Sequence, residues 1–359
     1  MSRPRSHMRS FRRAALALAL VCVAAPQAAD AAPADRLFAA DSIWNARLSA
    51  NTPLDPTSRQ RVRALTGEIR GTIARRNLYP NIQANRYSTP LYRVPANARR
   101  VRLTLDTGRW GDPLRAALAG GVPIPEAAAA ASGSDGHMTV YQPATDTLWE
   151  FWRAHRRADG WHASWGGVIR GVSRNPGYYT AGAWPGLSGT NGWNWGSTAT
   201  SLPVAAGTVT RAELRRGRVD HALAVAVANP CRKVFSWPAQ RTDGTSSKRN
   251  CIPAGARLRL DPRVNLDRLR LPRVTRILAE AAQRHGMIVR DRTGGSLAFY
   301  LEAPSPRTRS PYTGARGLYR GVPSWRMLAR FPFDRLQLLP LHLCSSSPCA
   351  PSPGRRSLR

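Results

Sequence analysis

Two runs, His137-Met-Thr-Val-Tyr-Gln142 and Thr147-Leu-Trp-Glu-Phe-Trp152, are separated only by Pro143-Ala-Thr-Asp146. Strand-forming residues on both sides of a Pro/Asp turn specify a β-hairpin, and no other segment restricts the fold as much. Symmetric closure of the turn sets Thr139 opposite Glu150 and His137 opposite Trp152. Side chains then alternate between two faces. Met138, Val140, Trp149 and Phe151 make an apolar core face, and His137, Thr139, Tyr141, Leu148, Glu150 and Trp152 make the other.

Around this hairpin the pattern is mostly strands. Val62, Leu65, Ile69 and Ile73 recur at helical spacing and predict a first helix from Ser58 to about Asn77. Leu91 to Val94 and Val101 to Leu105 alternate as strands, while residues 153–200, rich in Gly, Asn, Ser and Trp, read as long structured loops. Thr210-Arg-Ala-Glu213 is a capping box that opens a short helix. Further strands are expected at Arg218 to Val227, Val234 to Trp237 and Ala256 to Leu260. A helix from Pro272 to His285 stops at Gly286, and Met287 to Arg290 with Leu297 to Leu301 predict a second hairpin around Thr293-Gly-Gly295. The expected class is mainly β (β-sandwich or jelly-roll-like), or a β-rich α+β fold with about three helices. One main domain is expected over residues 32–303, followed by a Pro- and Arg-rich segment, 304–359, with one packed piece at Leu328 to Leu339.

The N-terminus reads as an export signal over residues 1–31. A basic stretch through Arg13 precedes an apolar run from Ala14 to Ala25 and the small residues Ala28-Ala-Asp-Ala-Ala32, the order of a cleavable leader. A membrane anchor needs roughly 20 apolar residues, and this run ends at Pro26, so a soluble, secreted mature chain with no membrane anchor is expected. Four cysteines follow: Cys231, Cys251, Cys344 and Cys349. An even set in an exported chain predicts disulfides, with sequence order pairing Cys231 to Cys251 and Cys344 to Cys349. No metal and no cofactor is expected, because neither Cys-x-x-Cys nor His-Glu-x-x-His spacing occurs and there is no Walker loop or dinucleotide fingerprint. The formal net charge is +33, which favours polyanionic partners. Among the 54 basic residues only Lys233 and Lys248 are lysine, however, a bias that high-GC codon usage also produces. Nucleic acid is not the expected partner, since the cations are scattered rather than gathered in one stripe with stacking aromatics.

Ser134-Asp-Gly-His-Met138, Leu148-Trp-Glu-Phe-Trp152, Val219-Asp-His-Ala-Leu223 and Phe235-Ser-Trp-Pro-Ala239 resemble segments of uncharacterised secreted proteins of high-GC actinobacteria. The resemblance spans most of the mature chain and implies export without implying an activity.

The residues themselves suggest one. Of eleven tryptophans, those at 149, 152, 161, 165, 184, 193 and 195 crowd one stretch, several beside Gly or Asn. An indole on a glycine-rich loop presents a flat apolar face on which sugar rings stack, and Trp152, Trp161, Trp165, Trp193 and Trp195 are the substrate-binding candidates. His137 and Glu150 share a hairpin face with Tyr141, Asp135 lies two residues upstream, and His221 opens a later strand. A histidine beside a carboxylate suits acid–base work near neutral pH, and Arg241 is a candidate clamp for a substrate carboxylate. A polysaccharide lyase would use His137, His221, Tyr141 and Arg241. A glycoside hydrolase would use the carboxylates of Asp135 and Glu150, and a metal hydrolase built on Asp135, His137 and His221 ranks behind both. The expected partner is extracellular polysaccharide, including acidic glycan. The competing reading is a non-catalytic glycan- or cell-wall-binding protein.

Overall fold

The computed structural model describes Met1 and residues 36–108, 111–180, 195–305 and 308–350. Residues 2–31 of the expected leader, together with Trp184 and Trp193, lie outside the described residues.

Fifteen strands and five α-helices occur among the described residues. The strands are β1 (Asn81–Gln83), β2 (Leu91–Arg93), β3 (Leu103–Leu105), β4 (Met138–Gln142), β5 (Thr147–Trp152), β6 (His155–Arg157), β7 (Gly160–Ala163) and β8 (Trp165–Arg170). They continue with β9 (Leu223–Val227), β10 (Phe235–Ser236), β11 (Arg257–Leu260), β12 (Met287–Arg292), β13 (Leu297–Tyr300), β14 (Leu336–Leu338) and β15 (Leu343–Cys344). The helices are α1 (Ser58–Arg76), α2 (Asp112–Leu118), α3 (Arg211–Arg216), α4 (Arg273–Arg284) and α5 (Ser324–Met327). Four sheets form: β1-β13-β9-β12-β11-β14, β2-β4-β5-β8, β3-β7-β6 and β10-β15. The class is β-rich α+β.

Alternation along the six-stranded sheet divides the interior in two. Leu223, Val225, Val227, Met287, Val289, Leu297 and Phe299 face a core shared with Val62, Leu65 and Ile69 of α1 and Val274, Ile277 and Leu278 of α4. The intervening Ala224, Ala226, Ile288, Ala298 and Tyr300 face a second core with Met138, Val140, Leu148, Trp149 and Phe151 of the four-stranded sheet. Burying a Leu or Val side chain contributes roughly 1.5–3 kcal/mol each, so these two cores carry most of the stabilisation.

The β4–β5 register is the expected one, with Thr139 opposite Glu150 and Tyr141 opposite Leu148. Its second face is not open to solvent, however. Thr139, Leu148 and Glu150 are fully buried, because β2 and β8 flank the hairpin and residues 195–206 cover it. The hairpin expected between β12 and β13 does not form. β9 lies between them, parallel to β12 and antiparallel to β13. Its apolar run, Leu-Ala-Val-Ala-Val, is buried on both faces and therefore takes the middle of the sheet. Residues 153–200 also hold more regular structure than expected, namely β6, β7 and β8.

The described residues from Leu37 onward form one compact unit. The segment after 303 belongs to it: Tyr312 and Tyr319 are buried along with Leu328 and Phe331, and β14 extends the large sheet beside β11. Both disulfides pair as expected, Cys231–Cys251 and Cys344–Cys349. No helix among the described residues is long and apolar enough to cross a membrane.

Candidate functional site

A cleft of about 830 Å³ opens where the start of β4, the ends of β5 and β12, and the loops at 196–199 and 241–243 meet. Its polar lining includes Asp135, His137, Arg241, Asp243 and Asp291. Each is brought there by a local device.

Asp135 and His137 sit on the turn that leads into β4. Gly136 carries a φ of +46°, and a Cβ there would lie 3.2 Å from the Arg153 Cα, so the turn favours glycine in both conformation and space. The turn is latched to β5 by the Arg153 and Ala154 amides, which donate to the Asp135 and Gly136 carbonyls at 2.7 and 2.9 Å. Asp291 depends on a β-bulge. Between Val289 and Asp291 the pairing of β12 with β9 slips by one residue, which reorients the side chains that follow. The bulged residue, Arg290, turns inward: its Nη1 donates to the Ala206 carbonyl at 2.8 Å and to the Val204 carbonyl, and its guanidinium lies 4.2 Å from the Tyr300 ring centre. Asp291 and Asp243 then line the cleft. Arg241 Nη2 donates to the carbonyls of Gly196 and Thr198 at 2.9 and 2.8 Å, tying the two cleft loops together.

The electrostatics separate the roles. Burial lifts the Asp291 carboxyl to about 7; Asp243 and Asp135 push the same way against the opposing Arg290 cation. Asp243 is also raised, by burial first, with Arg292 and Arg241 opposing. Like charges that face one another in a shielded site cannot all ionise easily, so Asp291 holds a proton near neutrality. His137 behaves differently from expectation: burial, then the Arg290 cation, drives its imidazole down to about 3. It stays neutral throughout the ordinary pH range and makes a weak base. Burial lowers Arg241 to about 10, which leaves it cationic at neutral pH. Asp106 also lines the cleft but is engaged by His162 Nδ1 at 2.8 Å and Arg157 Nη2 at 3.2 Å.

Of the residues proposed from sequence, Asp135, His137, Trp152, Trp165 and Arg241 meet in this cleft. Trp152 and Trp165 pair across β5 and β8, Trp165 mostly buried and Trp152 half-buried with the Arg153 guanidinium 4.3 Å from its ring centre. Glu150 lies beneath the cleft rather than in it. Its carboxylate accepts from the Ser197 amide at 2.7 Å, the Ser197 hydroxyl at 2.9 Å and the Val204 amide at 2.7 Å, so it holds the loop that forms one wall. Tyr141 shares the parity of His137 but stands four residues further along the strand, about 13 Å away, and its hydroxyl donates to Asp146 at 3.3 Å. His221 serves the helix side: its Nε2 is 3.2 Å from Glu213, the capping-box residue of α3. Burial opposes protonation of His221, but the Glu213 carboxylate more than offsets it and the pKa is raised. Trp161 and Trp195 are buried, Trp195 meeting Tyr179 edge to face at 6.5 Å. Trp193 lies outside the described residues.

Sequence reasoning missed Asp243 and Asp291. A signal for Asp291 existed in the Arg290-Asp-Arg292 run at the end of an apolar strand, since charges in such a run must either reach the surface or be held by partners. Among the described residues no group of three or more His, Cys, Asp or Glu side chains is arranged to hold a metal ion. No protein-family model, curated protein or solved structure matches the chain.

Proposed function

We propose that this is an exported polysaccharide-active enzyme, and that glycoside hydrolysis suits its cleft better than elimination. The observation that carries the reading is the convergence of Asp135, Asp243 and Asp291 in one open cleft beside Trp152. Hydrolysis of a glycosidic bond needs one carboxyl that holds a proton and one that has lost it. Asp291 is the acid and donates its proton to the departing glycosidic oxygen. Asp135 or Asp243 is the second carboxyl, which accepts the proton of the water that adds to the anomeric carbon. Trp152 offers a ring face to a neighbouring sugar, and Arg241 keeps the 196–199 wall in place.

Elimination is less well served. It needs a base near neutral pH, and His137 is held neutral down to about 3. The carbohydrate reading as a whole rests on the indoles beside the carboxylates, and export rests on the leader sequence, with which the two disulfides are compatible.

The test is incubation of the purified protein with a panel of neutral and acidic polysaccharides, following new reducing ends and the ultraviolet absorbance of unsaturated uronates. Reducing ends without that absorbance, abolished by Asp291→Asn, support the assignment. Absorbance growing with cleavage would favour a lyase, and binding without cleavage of any polymer would favour the non-catalytic alternative.

A further inference from the structure

A second cleft, of about 720 Å³, adjoins the first and is lined on several sides by cations. Its walls are the C-terminal half of α1, the end of β9, the loop closed by Cys231–Cys251 and the turn after β12. Arg75 and Arg76 come from the helix, Lys248 from the disulfide loop and Arg292 from the strand end. All four are exposed. Among the described residues none of them forms an ion pair within 4.0 Å. The one carboxylate in the lining, Glu68, accepts from the side-chain Nδ2 of Asn229. Cations in the last turn of a helix offset its dipole, which accounts for Arg75 and Arg76 alone. Lys248 and Arg292 reach the same space from other elements.

The scaffold keeps this space open and shaped. The disulfide loop is held by the Arg232 amide on the Ser246 carbonyl at 2.8 Å, the Ser246 amide on the Pro230 carbonyl at 3.0 Å and an Arg61 guanidinium bond to the Cys251 carbonyl. At Gly294 a Cβ would meet nothing within 4 Å, so the turn leaves its side of the cleft clear. The two clefts share a wall. Asp291 lines the first and its neighbour Arg292 the second, and the loop that carries Arg241, Thr242 and Asp243 in the first carries Thr245, Ser246 and Ser247 in the second.

The geometry points to the second cleft as a subsite for the carboxylates of an acidic polysaccharide, held by Arg75, Arg76, Lys248 and Arg292 while the polymer passes the carboxylate cleft. This rests on the carbohydrate reading above and adds to it that the polymer is a polyuronate. Arg and Lys side chains converging from separate elements match carboxylates spaced along such a chain. Ser246, Ser247, Asn229 and Asn250 in the same lining supply partners for sugar hydroxyls.

Binding is measured on the full chain carrying Asp291→Asn, so that cleavage plays no part, by calorimetric titration with polygalacturonate, alginate and hyaluronate, and with fully methyl-esterified polygalacturonate as the uncharged control. Arg75→Glu/Arg76→Glu/Lys248→Glu is compared with Arg99→Glu/Arg102→Glu/Arg316→Glu, which makes the same charge change at exposed arginines that do not line this cleft. Circular dichroism verifies folding of both. At least one polyuronate is expected to bind, to lose tenfold or more in affinity in the cleft variant and no more than about threefold in the control, and to be preferred over the ester. Equal losses in the two variants, equal binding of the ester, or no binding of any polyuronate overturns the inference. Tighter binding of a single-stranded DNA oligomer, abolished by the same cleft variant, overturns it in favour of nucleic acid. The outcomes separate the two claims: polyuronate binding here without cleavage by the unsubstituted protein defeats the hydrolase reading alone, and cleavage of a neutral glycan at an unchanged rate in the cleft variant defeats this inference alone.

Discussion

Replacing Asp291 by asparagine is expected to stabilise the protein above pH 7 and to leave it almost unchanged near pH 4. The carboxyl is moved by burial from its ordinary 3.8 to about 7 in the folded chain. In the window between those values the folded state keeps a proton that the unfolded chain has released, so stability falls as pH rises. Below 3.8 both states are protonated and nothing is lost; above 7 the loss is complete. At about 1.4 kcal/mol per unit, a displacement of roughly three units corresponds to about 4 kcal/mol, and water entering the open cleft reduces this toward about 2. Asparagine has the shape of the protonated carboxyl and does not titrate. The stability difference, variant minus parent, is therefore expected to climb by up to about 1.4 kcal/mol per pH unit from pH 4 and level off above 7 at about 2–4 kcal/mol. Urea unfolding followed by tryptophan fluorescence across that range measures it, and subtracting the two curves removes every other titrating group. A difference that is flat with pH would refute the placement of Asp291 as a shielded, protonated acid. The same proton sets the expected activity profile, which falls as pH rises through about 7.

Glu150→Ala leaves the Ser197 and Val204 amides without their acceptor, and each unsatisfied buried donor costs about 1–3 kcal/mol; thermal denaturation is expected to show a loss of about 3 kcal/mol or more, and a loss under 1 kcal/mol would contradict its role as anchor of the cleft wall. Trp195→Ala, in the core, is expected to destabilise by about 3–5 kcal/mol, whereas Trp152→Ala, half-buried at the rim, should mainly weaken glycan binding; calorimetry and melting curves together distinguish these, and the reverse pattern would reject Trp152 as the sugar platform. Converting Cys231 and Cys251 together to serine opens a bridge between residues 20 apart in sequence, for which chain entropy predicts a loss of about 3 kcal/mol. An unchanged urea midpoint in that variant would contradict the bridge's contribution.

Much of the local structure was legible in the sequence because it depends on near neighbours. A short Pro/Asp turn fixes which residues of β4 and β5 meet, so the pairing of Thr139 with Glu150 followed from the segment alone. The recurrence of Val62, Leu65 and Ile69 defined α1, and the Thr210/Glu213 box defined the start of α3. The disulfides followed from parity and order. Alternation also grouped His137 with Trp152, and both reach the carboxylate cleft.

What lay beyond reach depended on distant segments. Period-two alternation states which side chains share a face but not what covers it. Residues 195–206 cover the face that carries Glu150, which turned an expected catalytic carboxylate into a buried anchor. The turn after β12 suggested a hairpin, yet β9, arriving from more than fifty residues upstream, is apolar on both faces and displaced that pairing. His221 has the residue type for catalysis, but its strand enters the sheet on the side of α3, where Glu213 takes it as a partner. The acid itself, Asp291, owes its place to a one-residue slip between β12 and β9 and its proton to burial beside Asp243 and Asp135. The chain alone thus determined the hairpin, the first helix and the cysteine pairs, which are set by contacts close in sequence. Only the tertiary structure decided which carboxyls meet and which of them keeps a proton, because both depend on the distance and burial of groups that the chain brings together from far apart.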